Sequence, residues 1–409
     1  MKPMNPVFAE AKTTIFEQIT RLAIAHDAIN LGQGFPEEDG PYELREIASK
    51  AILKASNQYP PMLGIKELRS AVSEHMSRFY DLNFDPDCEV LVTSGATEAL
   101  ADTLLALIEP GDEVILIEPL YDCYLPLVFR AGGIPKRVRL SPPNWQLSEN
   151  DLAAAFSENT KAVLLNNPMN PSAKVFTKQE LELIAKLAIE NDCYVICDEV
   201  YEHIVFEDKK HIPLISLKGM ADRTVKIGSA GKTFSMTGWK IGYVVAEKNI
   251  LSTISKAHQF VTFTSPPALQ HAVAAGLSLP DKFYHSLSED MQCKRDLLAS
   301  GLQKLGFIVD VCEGSYFLNC DIEQLLPHVI EKNAARSEQS SQDLQFIMAM
   351  ITQAGVAAVP LSAFYISNAP QTHIRFCFCK SEETLNAALE RLRQWLTSHT
   401  QWAHAVHSQ

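Results

Sequence analysis

Short apolar runs alternate with amphipathic stretches along the chain from about residue 64 onward. In the first such stretch, Ile65, Leu68 and Val72 recur at the three- and four-residue spacing of a helix. In these runs apolar and polar residues do not alternate, as they would in a strand with only one buried face. Both faces of each strand should therefore be buried. The succession predicts the α/β class, with a mostly parallel central sheet covered by helices on both sides. The predicted strands are 89–93, 114–117, 162–165, 194–197, 225–228 and 241–245.

The pattern changes after about residue 285, where a long amphipathic helix is followed by short strands and helices. We expect a smaller α+β unit, with strands at 307–311, 316–318, 356–360 and 374–378 and helices at 344–353 and 384–396. The first 40 or so residues carry a helix near 14–25 but lack a strand partner of their own, and should pack on this unit. The predicted domains are therefore a large one, 45–285, and a small one built from 1–44 and 286–409. The polar stretch 331–343 is expected to be a surface loop, of no predictable role.

The net charge limits the kinds of partner that the chain is expected to bind. The chain of 409 residues has 36 Lys and Arg against 49 Asp and Glu, a net charge of −13. This balance argues against non-specific binding to nucleic acid or to an anionic membrane. A small anion can still bind, but it needs a local cluster of cations.

The nine cysteines form no Cys-x-x-Cys pair, and most lie in apolar runs. They are expected to be buried free thiols in a reducing compartment, and no metal site is expected, because a zinc site needs ligand pairs at close spacing. The sequence shows neither an apolar signal segment nor a run long enough to span a membrane. These features predict a cytoplasmic location.

Polar residues follow four of the predicted strands at their carboxyl ends, at 94–98, 166–171, 198–201 and 229–233. In an open α/β sheet, ligands bind beyond the carboxyl ends of the strands. Any one of these segments is weak evidence, because loops are polar anyway. Their coincidence at one edge predicts a small-molecule site there.

Three of these segments have two interpretations each. Residues 94–97 could bind an anion at a helix N-terminus, or Ser94 could simply cap that helix. Asp198 could pair with a cation, or it could cap the next helix. Lys232 could be a Schiff-base nucleophile or a solvated surface charge. Arg375 interrupts an apolar strand, and it is too costly to bury without an anion such as a substrate carboxylate.

Three motifs in this order resemble the class I/II pyridoxal-phosphate aminotransferases. They are Asn-Pro-Met-Asn-Pro at 167–171, Asp-Glu-Val-Tyr at 198–201, and Ser-Ala-Gly-Lys at 229–232 followed by Gly-Trp-Lys-Ile-Gly at 238–242. Segments 30–36, 57–59, 118–124 and 313–317 resemble the branch of kynurenine/glutamine transaminases and methionine aminotransferases. The resemblance extends from about residue 12 to 396. One departure is Asn-Pro-Ser-Ala at 170–173, where the family usually has Asn-Pro-Thr-Gly.

The resemblance implies the aspartate aminotransferase-like fold of pyridoxal-phosphate enzymes, and a homodimer with shared active sites. It implies that Lys232 forms the Schiff base with the cofactor and moves the substrate proton. Asp198 would keep the pyridine nitrogen protonated, and Tyr201 and Asn170 would hydrogen-bond the ring 3-oxygen. Tyr121 would stack on the ring.

The same resemblance assigns the remaining groups. The cofactor phosphate would be held by the backbone N–H groups of Ala96 and Thr97, the hydroxyl of Ser229 and the ammonium of Lys240. Arg375 would bind the substrate carboxylate, helped by Asn170 and the backbone of Gly34. The side-chain pocket would be lined by Phe16 and Tyr124, with Tyr59 and Phe263 from the partner subunit. Phe16 and Phe263 could equally be ordinary core or interface residues.

The expected activity is ping-pong transfer of an amino group from an L-amino acid to a 2-oxo acid. The aromatic pocket, without a second arginine, favours methionine, glutamine, kynurenine or aromatic donors. One alternative is β-elimination from cysteine S-conjugates with the same cofactor, which Lys232 could also serve. Another is a non-catalytic regulatory protein that uses the fold to bind ligands. The physiological donor, the acceptor and the pathway are not predictable from these residues.

Overall fold

The computed structural model describes residues 2–11, 13–330 and 341–398. Its strands are β1 Ile29–Asn30, β2 Val90–Thr93, β3 Glu113–Glu118, β4 Ile134–Arg139, β5 Thr160–Asn166, β6 Tyr194–Asp198, β7 Thr224–Ser229, β8 Gly242–Val245, β9 Ile308–Val309, β10 Phe317–Asp321, β11 Val356–Ala357, β12 Val359–Pro360 and β13 His373–Cys377. The predicted strands of the central sheet are thereby found to within one or two residues.

The helices follow the expected amphipathic stretches. They are α1 Pro6–Ala9, α2 Ile15–Ala25, α3 Tyr42–Lys54, α4 Lys66–Tyr80, α5 Ala96–Leu107, α6 Tyr124–Ala131, α7 Glu149–Ala155, α8 Lys178–Glu190, α9 Ala230–Thr233, α10 Lys248–Val261, α11 Pro267–Leu277, α12 Asp281–Lys304, α13 Leu326–Val329, α14 Gln342–Ala349 and α15 Glu382–Ser398. A π-helical turn, Met350–Ala354, extends α14. None of the helices in the described ranges is long and apolar enough to cross a membrane.

The central sheet has seven strands in the order β2-β8-β7-β6-β5-β3-β4. Its pairs are parallel except those of β8, which runs antiparallel to β2 and to β7. Because β8 is reversed between them, β2 and β7 run in the same direction. The carboxyl ends of β2, β5, β6 and β7 therefore share one edge, as the sequence indicates. The strands β2, β3 and β7 are buried along their whole length.

A second, antiparallel sheet has the order β12-β13-β10-β9, and β1 pairs in parallel with β11. One expectation was wrong here: the predicted strand 356–360 is divided into β11 and β12, which join different sheets. The first 40 residues contain a short strand, β1, but its partner β11 belongs to the carboxyl-terminal part of the chain, so among the described residues they have no strand partner of their own, as expected. The strand β4 was not predicted, because it is an edge strand whose two aliphatic residues, Ile134 and Val138, are separated by Pro, Lys and Arg.

The amino-terminal segment packs on the carboxyl-terminal part of the chain. Ile19, Ala23 and Leu31 belong to one buried hydrophobic cluster with Leu302 and Leu392. This contact is the one expected for a helix that lacks a core of its own. The division into domains at residues 45 and 285 stays a prediction.

The nine cysteines are free thiols, six of them buried, whereas Cys293 is exposed. Within the polar stretch 331–343, residues 331–340 lie outside the described ranges. Its last residues are not loop, because α14 begins at Gln342 and the side chain of Asp343 is buried.

Gly242 is where β8 passes closest to the turn that follows β2. A Cβ on Gly242 would lie 2.6 Å from the carbonyl carbon of Gly95 and 2.8 Å from the nitrogen of Ala96. We predict that Gly242→Ala lowers the free energy of unfolding by about 1–3 kcal/mol, because two backbone segments must separate. The matched control is Gly238→Ala, whose Cβ meets no atom within 4 Å. Equal denaturant midpoints for the two variants would contradict this account of the contact.

Candidate active site

A cavity of about 400 Å³ opens at the carboxyl edge of the central sheet. Thirteen of the fifteen residues predicted for the site line it: Phe16, Gly34, Ala96, Thr97, Tyr121, Tyr124, Asn170, Asp198, Tyr201, Ser229, Lys232, Lys240 and Arg375. The other two, Tyr59 and Phe263, are not among the described residues that line it. Their rings pack edge-on at 5.5 Å, and Tyr59 is 82% exposed. Their predicted place in a partner's site stays a prediction.

One end of the cavity has the features of an anion site. The helix α5 begins after Gly95, which has φ of 80° and no side chain to cap the helix. The N–H groups of Ala96 and Thr97, in the first turn, are therefore available to a ligand. The interpretation of Ser94 as a helix cap is wrong, since its hydroxyl lies 3.2 Å from that of Ser265 instead.

Sheet register brings two more anion-binding groups to the same end. Thr93 and Ser229 both lie opposite Gly242, so the last residue of β7 sits beside the start of α5. A Cβ placed on Gly95 would lie 3.2 Å from the Nζ atom of Lys240, so this ammonium adjoins the turn. Backbone donors, a hydroxyl and a cation thus converge as phosphate binding requires.

Asp198 ends β6 on the floor of the cavity, 5% exposed. Its Oδ2 atom accepts a 2.5 Å hydrogen bond from the hydroxyl of Tyr124, whereas Oδ1 has no hydrogen-bond partner in the described part of the chain. Burial raises the pKa of Asp198 to about 6, although the bond from Tyr124 opposes the shift. Residues 200–203 form a turn, so the interpretation of Asp198 as a helix cap is wrong. The free oxygen calls for a donor in the cavity.

Lys232 lies in α9, directly after β7, in the cavity wall rather than on the outer surface. Its ammonium donates to the hydroxyl of Tyr316 at 2.9 Å and lies 3.5 Å from the carbonyl of Gly34. The Tyr316 hydroxyl donates in turn to that carbonyl at 2.7 Å. Burial lowers the pKa of Lys232, which increases its neutral fraction.

Arg375 is buried in β13 and forms no ion pair among the described residues. Its Nη1 donates to the Asn170 side chain at 2.7 Å and its Nη2 to the carbonyl of Gly32 at 2.8 Å, while Nε has no partner in those ranges. Burial lowers the pKa of Arg375 to about 10. Three rings surround its guanidinium at 4.0 to 5.3 Å: Phe16, Phe317 and Phe364. An anion would complete this environment.

Sequence reasoning missed two contacts in the site. Tyr316 was noted only within the motif 313–317, yet it holds the Lys232 ammonium. Tyr124 was assigned only to the side-chain pocket, yet it also bonds Asp198. The motif at 313–317 was a usable signal for the first contact, whereas nothing local to Tyr124 indicates the second.

Comparison with known proteins agrees with this geometry. Residues 26–392 match the family model "Aminotransferase class I and II". Methionine aminotransferase of Escherichia coli is 40% identical over 395 residues, covering 95% of this chain and 99% of the relative. Kynurenine–oxoglutarate transaminase 1 of Homo sapiens is 39% identical over 402 residues, covering 92% and 94%. The solved N-succinyldiaminopimelate aminotransferase of Mycobacterium tuberculosis is 38% identical with a TM-score of 0.90, covering 96% of this chain and all of that chain.

The chain therefore belongs to the class I and II aminotransferases. Members of this family move an amino group between amino acids and 2-oxo acids and use pyridoxal phosphate. The aspartate aminotransferase-like fold implied by the sequence motifs is confirmed. The chain is accordingly a transaminase, and the reading as a non-catalytic binding protein has no support.

The raised pKa of Asp198 predicts a gain in stability when its charge is removed. In the folded, cofactor-free protein the carboxylate is disfavoured, so the wild type loses stability as pH rises from about 4 through about 6. At pH 8 the free energy of unfolding of Asp198→Asn should therefore exceed that of the wild type by up to about 3 kcal/mol. Near pH 4 the two proteins should differ little. Denaturant titrations at both pH values measure this. An equal difference at the two pH values would contradict it.

Proposed function

We propose that the cavity binds pyridoxal phosphate, and that the protein transfers amino groups from donors with uncharged side chains to 2-oxo acids. The observation that carries the proposal is one cavity that joins an uncapped helix N-terminus, a buried carboxylate with a free oxygen, and a lysine of lowered pKa. These three features match the phosphate, the pyridine nitrogen and the aldehyde of the cofactor. Perturbed ionisable groups in one cleft are typical of catalytic sites.

The cofactor ring would be held on three sides. Asp198 would accept a hydrogen bond from the ring nitrogen through Oδ1, which has no partner among the described residues, while Tyr124 fixes the carboxylate in place through Oδ2. Tyr201 and Asn170 are assigned to the ring 3-oxygen, and Tyr121 to stacking on the ring face. When bound, the cofactor supplies an aldehyde that captures amines and a conjugated ring that takes up an electron pair from the substrate.

The phosphate would lie at the start of α5, against the N–H groups of Ala96 and Thr97. Ser229 adds a hydroxyl and Lys240 a positive charge that balances the phosphate. The Nζ atom of Lys240 lies beside this turn, 3.2 Å from where a Cβ on Gly95 would be.

Lys232 holds and moves the substrate proton. Burial lowers its pKa, so more of the amine is neutral and able to accept a proton near neutral pH. Its bond to Tyr316 keeps the amine at one place in the cavity wall between proton transfers. Tyr316 is therefore a positioning residue in this proposal.

Arg375 binds the α-carboxylate of the substrate. Its guanidinium lacks an anionic partner among the described residues, and Asn170 and the carbonyl of Gly32 hold it in a fixed plane. A planar fork suits a carboxylate. Asn170 and the backbone of Gly34 complete the carboxylate site.

The donor would have an uncharged side chain. Among the described residues that line the cavity, the cations are Lys232, Lys240 and Arg375, and each has a role above. No second arginine remains for a side-chain carboxylate, whereas Phe16 and Tyr124 offer apolar surface. Relatives named for methionine and for kynurenine support methionine, glutamine, kynurenine or aromatic donors.

The homodimer and the two domains, 45–285 and 1–44 with 286–409, are part of the same proposal. Leu53, Tyr59 and Phe260 are each at least 80% exposed, which supports their burial against a second copy. The free thiols support a reducing compartment such as the cytoplasm.

Lys232→Ala tests the cofactor site. We predict that the variant loses the visible absorbance of protein-bound pyridoxal phosphate, and that turnover falls by at least about 10⁴-fold, because the amine and the base are both lost. Absorption spectra and steady-state rates measure this. Lys304→Ala, an exposed lysine, serves as control and should match the wild type. An unchanged spectrum of Lys232→Ala would overturn the proposal.

A panel of single half-reactions tests the donor class. Methionine, glutamine, kynurenine and phenylalanine should convert the bound cofactor faster than aspartate or glutamate, since the cavity offers no cation for a second carboxylate. The change in cofactor absorbance on mixing measures each rate. The prediction fails if aspartate and glutamate prove the best donors. Release of pyruvate and ammonia from a cysteine conjugate without a 2-oxo acid would indicate β-elimination instead.

A further inference from the structure

A buried cluster of three ionisable side chains lies directly behind the anion-binding turn. The Nδ1 atom of His258 is 3.1 Å from Glu98 Oε1 and 3.3 Å from Asp102 Oδ2. His258 and Asp102 are fully buried, and Glu98 is 8% exposed. Because two carboxylates face one ring nitrogen at hydrogen-bonding distance, a proton on that nitrogen is needed to hold them together. None of the three lines the cavity.

Glu98 connects this cluster to the turn. Its second carboxylate oxygen accepts a hydrogen bond from the backbone N–H of Ser94, which precedes the N-cap Gly95. Glu98 also lies in the first turn of α5. Its negative charge occupies the end of the helix dipole where the phosphate would bind, so an unbalanced charge would repel that phosphate. A cation behind the turn removes the repulsion.

His258 also holds the segment on the other side of the turn. Its backbone carbonyl accepts hydrogen bonds from the N–H groups of Thr262 and Phe263, at 3.1 and 2.8 Å. Ser265, just beyond, brings its hydroxyl to within 3.2 Å of the hydroxyl of Ser94. His258 therefore joins the turn to the segment that carries Phe263.

The charge of His258 follows from its surroundings. Burial disfavours the imidazolium, but the hydrogen bond to Glu98 and the close contact with the Asp102 carboxylate outweigh it and raise the pKa of His258 to about 9. The bond to His258 helps lower the pKa of Glu98 against burial, whereas burial raises the pKa of Asp102. Glu98 and Asp102 on α5 are the charged groups that face the ring. The positive charge is thus kept at neutral pH and lost as pH rises through about 9.

We infer that Glu98 and His258, with Asp102 beside them, form a positioning pair for the cofactor phosphate. The pair holds the backbone of the turn 94–97 in place, and the His258 charge offsets the negative charge of Glu98 that would otherwise repel the phosphate. This inference rests on the proposed cofactor site and adds that phosphate retention depends on a proton held behind the turn.

The test compares pyridoxal phosphate with pyridoxal, which has the same ring and aldehyde but no phosphate. The dissociation constants of both ligands are measured by equilibrium dialysis across pH 7–10. Each protein is prepared as holoenzyme, and its bound cofactor is then exchanged for the ligand under test. His258→Asn keeps a neutral donor beside Glu98, and should weaken pyridoxal phosphate about tenfold at pH 7.5, a typical cost of an unpaired charge, with pyridoxal changed less than twofold. Glu98→Gln combined with His258→Asn should recover part of that loss, because the carboxylate in the first turn of α5, next to the phosphate site, is then neutral.

Asp102→Asn tests the proton itself. In the wild type, preference for pyridoxal phosphate over pyridoxal should fall with a midpoint near pH 9, and Asp102→Asn should move that midpoint down by about one pH unit or more. Only the shift of the midpoint between variants counts, because the rest of the site is the same in all of them. Asp310→Asn changes a buried carboxylate of raised pKa that directly follows β9, and it is the matched control that should leave the profile unchanged.

The outcomes separate the two proposals. If the wild type holds pyridoxal phosphate no better than pyridoxal, the proposed phosphate site is wrong. The alternative outcome is that the wild type prefers pyridoxal phosphate while His258→Asn and Asp102→Asn show the same preference, with the same pH dependence. In that case only the inference about the positioning pair is overturned. Thermal unfolding followed by circular dichroism shows whether each variant is folded at the temperature of the dialysis.

Discussion

The structure depends on charged groups that are buried without a full set of partners. Asp198, Lys232 and Arg375 surround one cavity, and two of them keep an atom with no hydrogen-bond partner among the described residues. Burying such groups is unfavourable, and the shifted pKa values of all three record the cost. These side chains stay apart only if the backbone that carries them is rigid, because a mobile backbone would let them move toward each other or toward water. The seven-stranded sheet provides most of that rigid backbone.

The reversed strand β8 is the part of the frame that assembles the site. It lies between β2 and β7 and aligns both of their last residues with Gly242. The absence of a side chain there lets the start of α5 approach the end of β7. Groups more than 130 residues apart in the chain, Thr97 and Ser229 for example, are thereby brought to one end of the cavity.

The sequence was sufficient where a local pattern carries the information. Continuous apolar runs predicted the strands, and the polar residues after them predicted the edge that carries the cavity. It was insufficient where a short element depends on a distant partner, as in β1, the edge strand β4 and the division of 356–360. The bonds from Tyr124 to Asp198 and from Lys232 to Tyr316 span 74 and 84 residues, and that from His258 to Glu98 spans 160. Such contacts follow from the packing of complete elements, which no periodicity encodes.

The unfilled hydrogen bonds of Asp198 and Arg375 also have a consequence for the amount of protein in the cell. A ligand that satisfies these atoms binds the folded chain and not the unfolded one, so it adds its binding free energy to folding. The chain would then be most exposed to proteolysis and aggregation just after synthesis, before that ligand is captured. Supply of the cofactor would set how many molecules survive, in addition to how many are active.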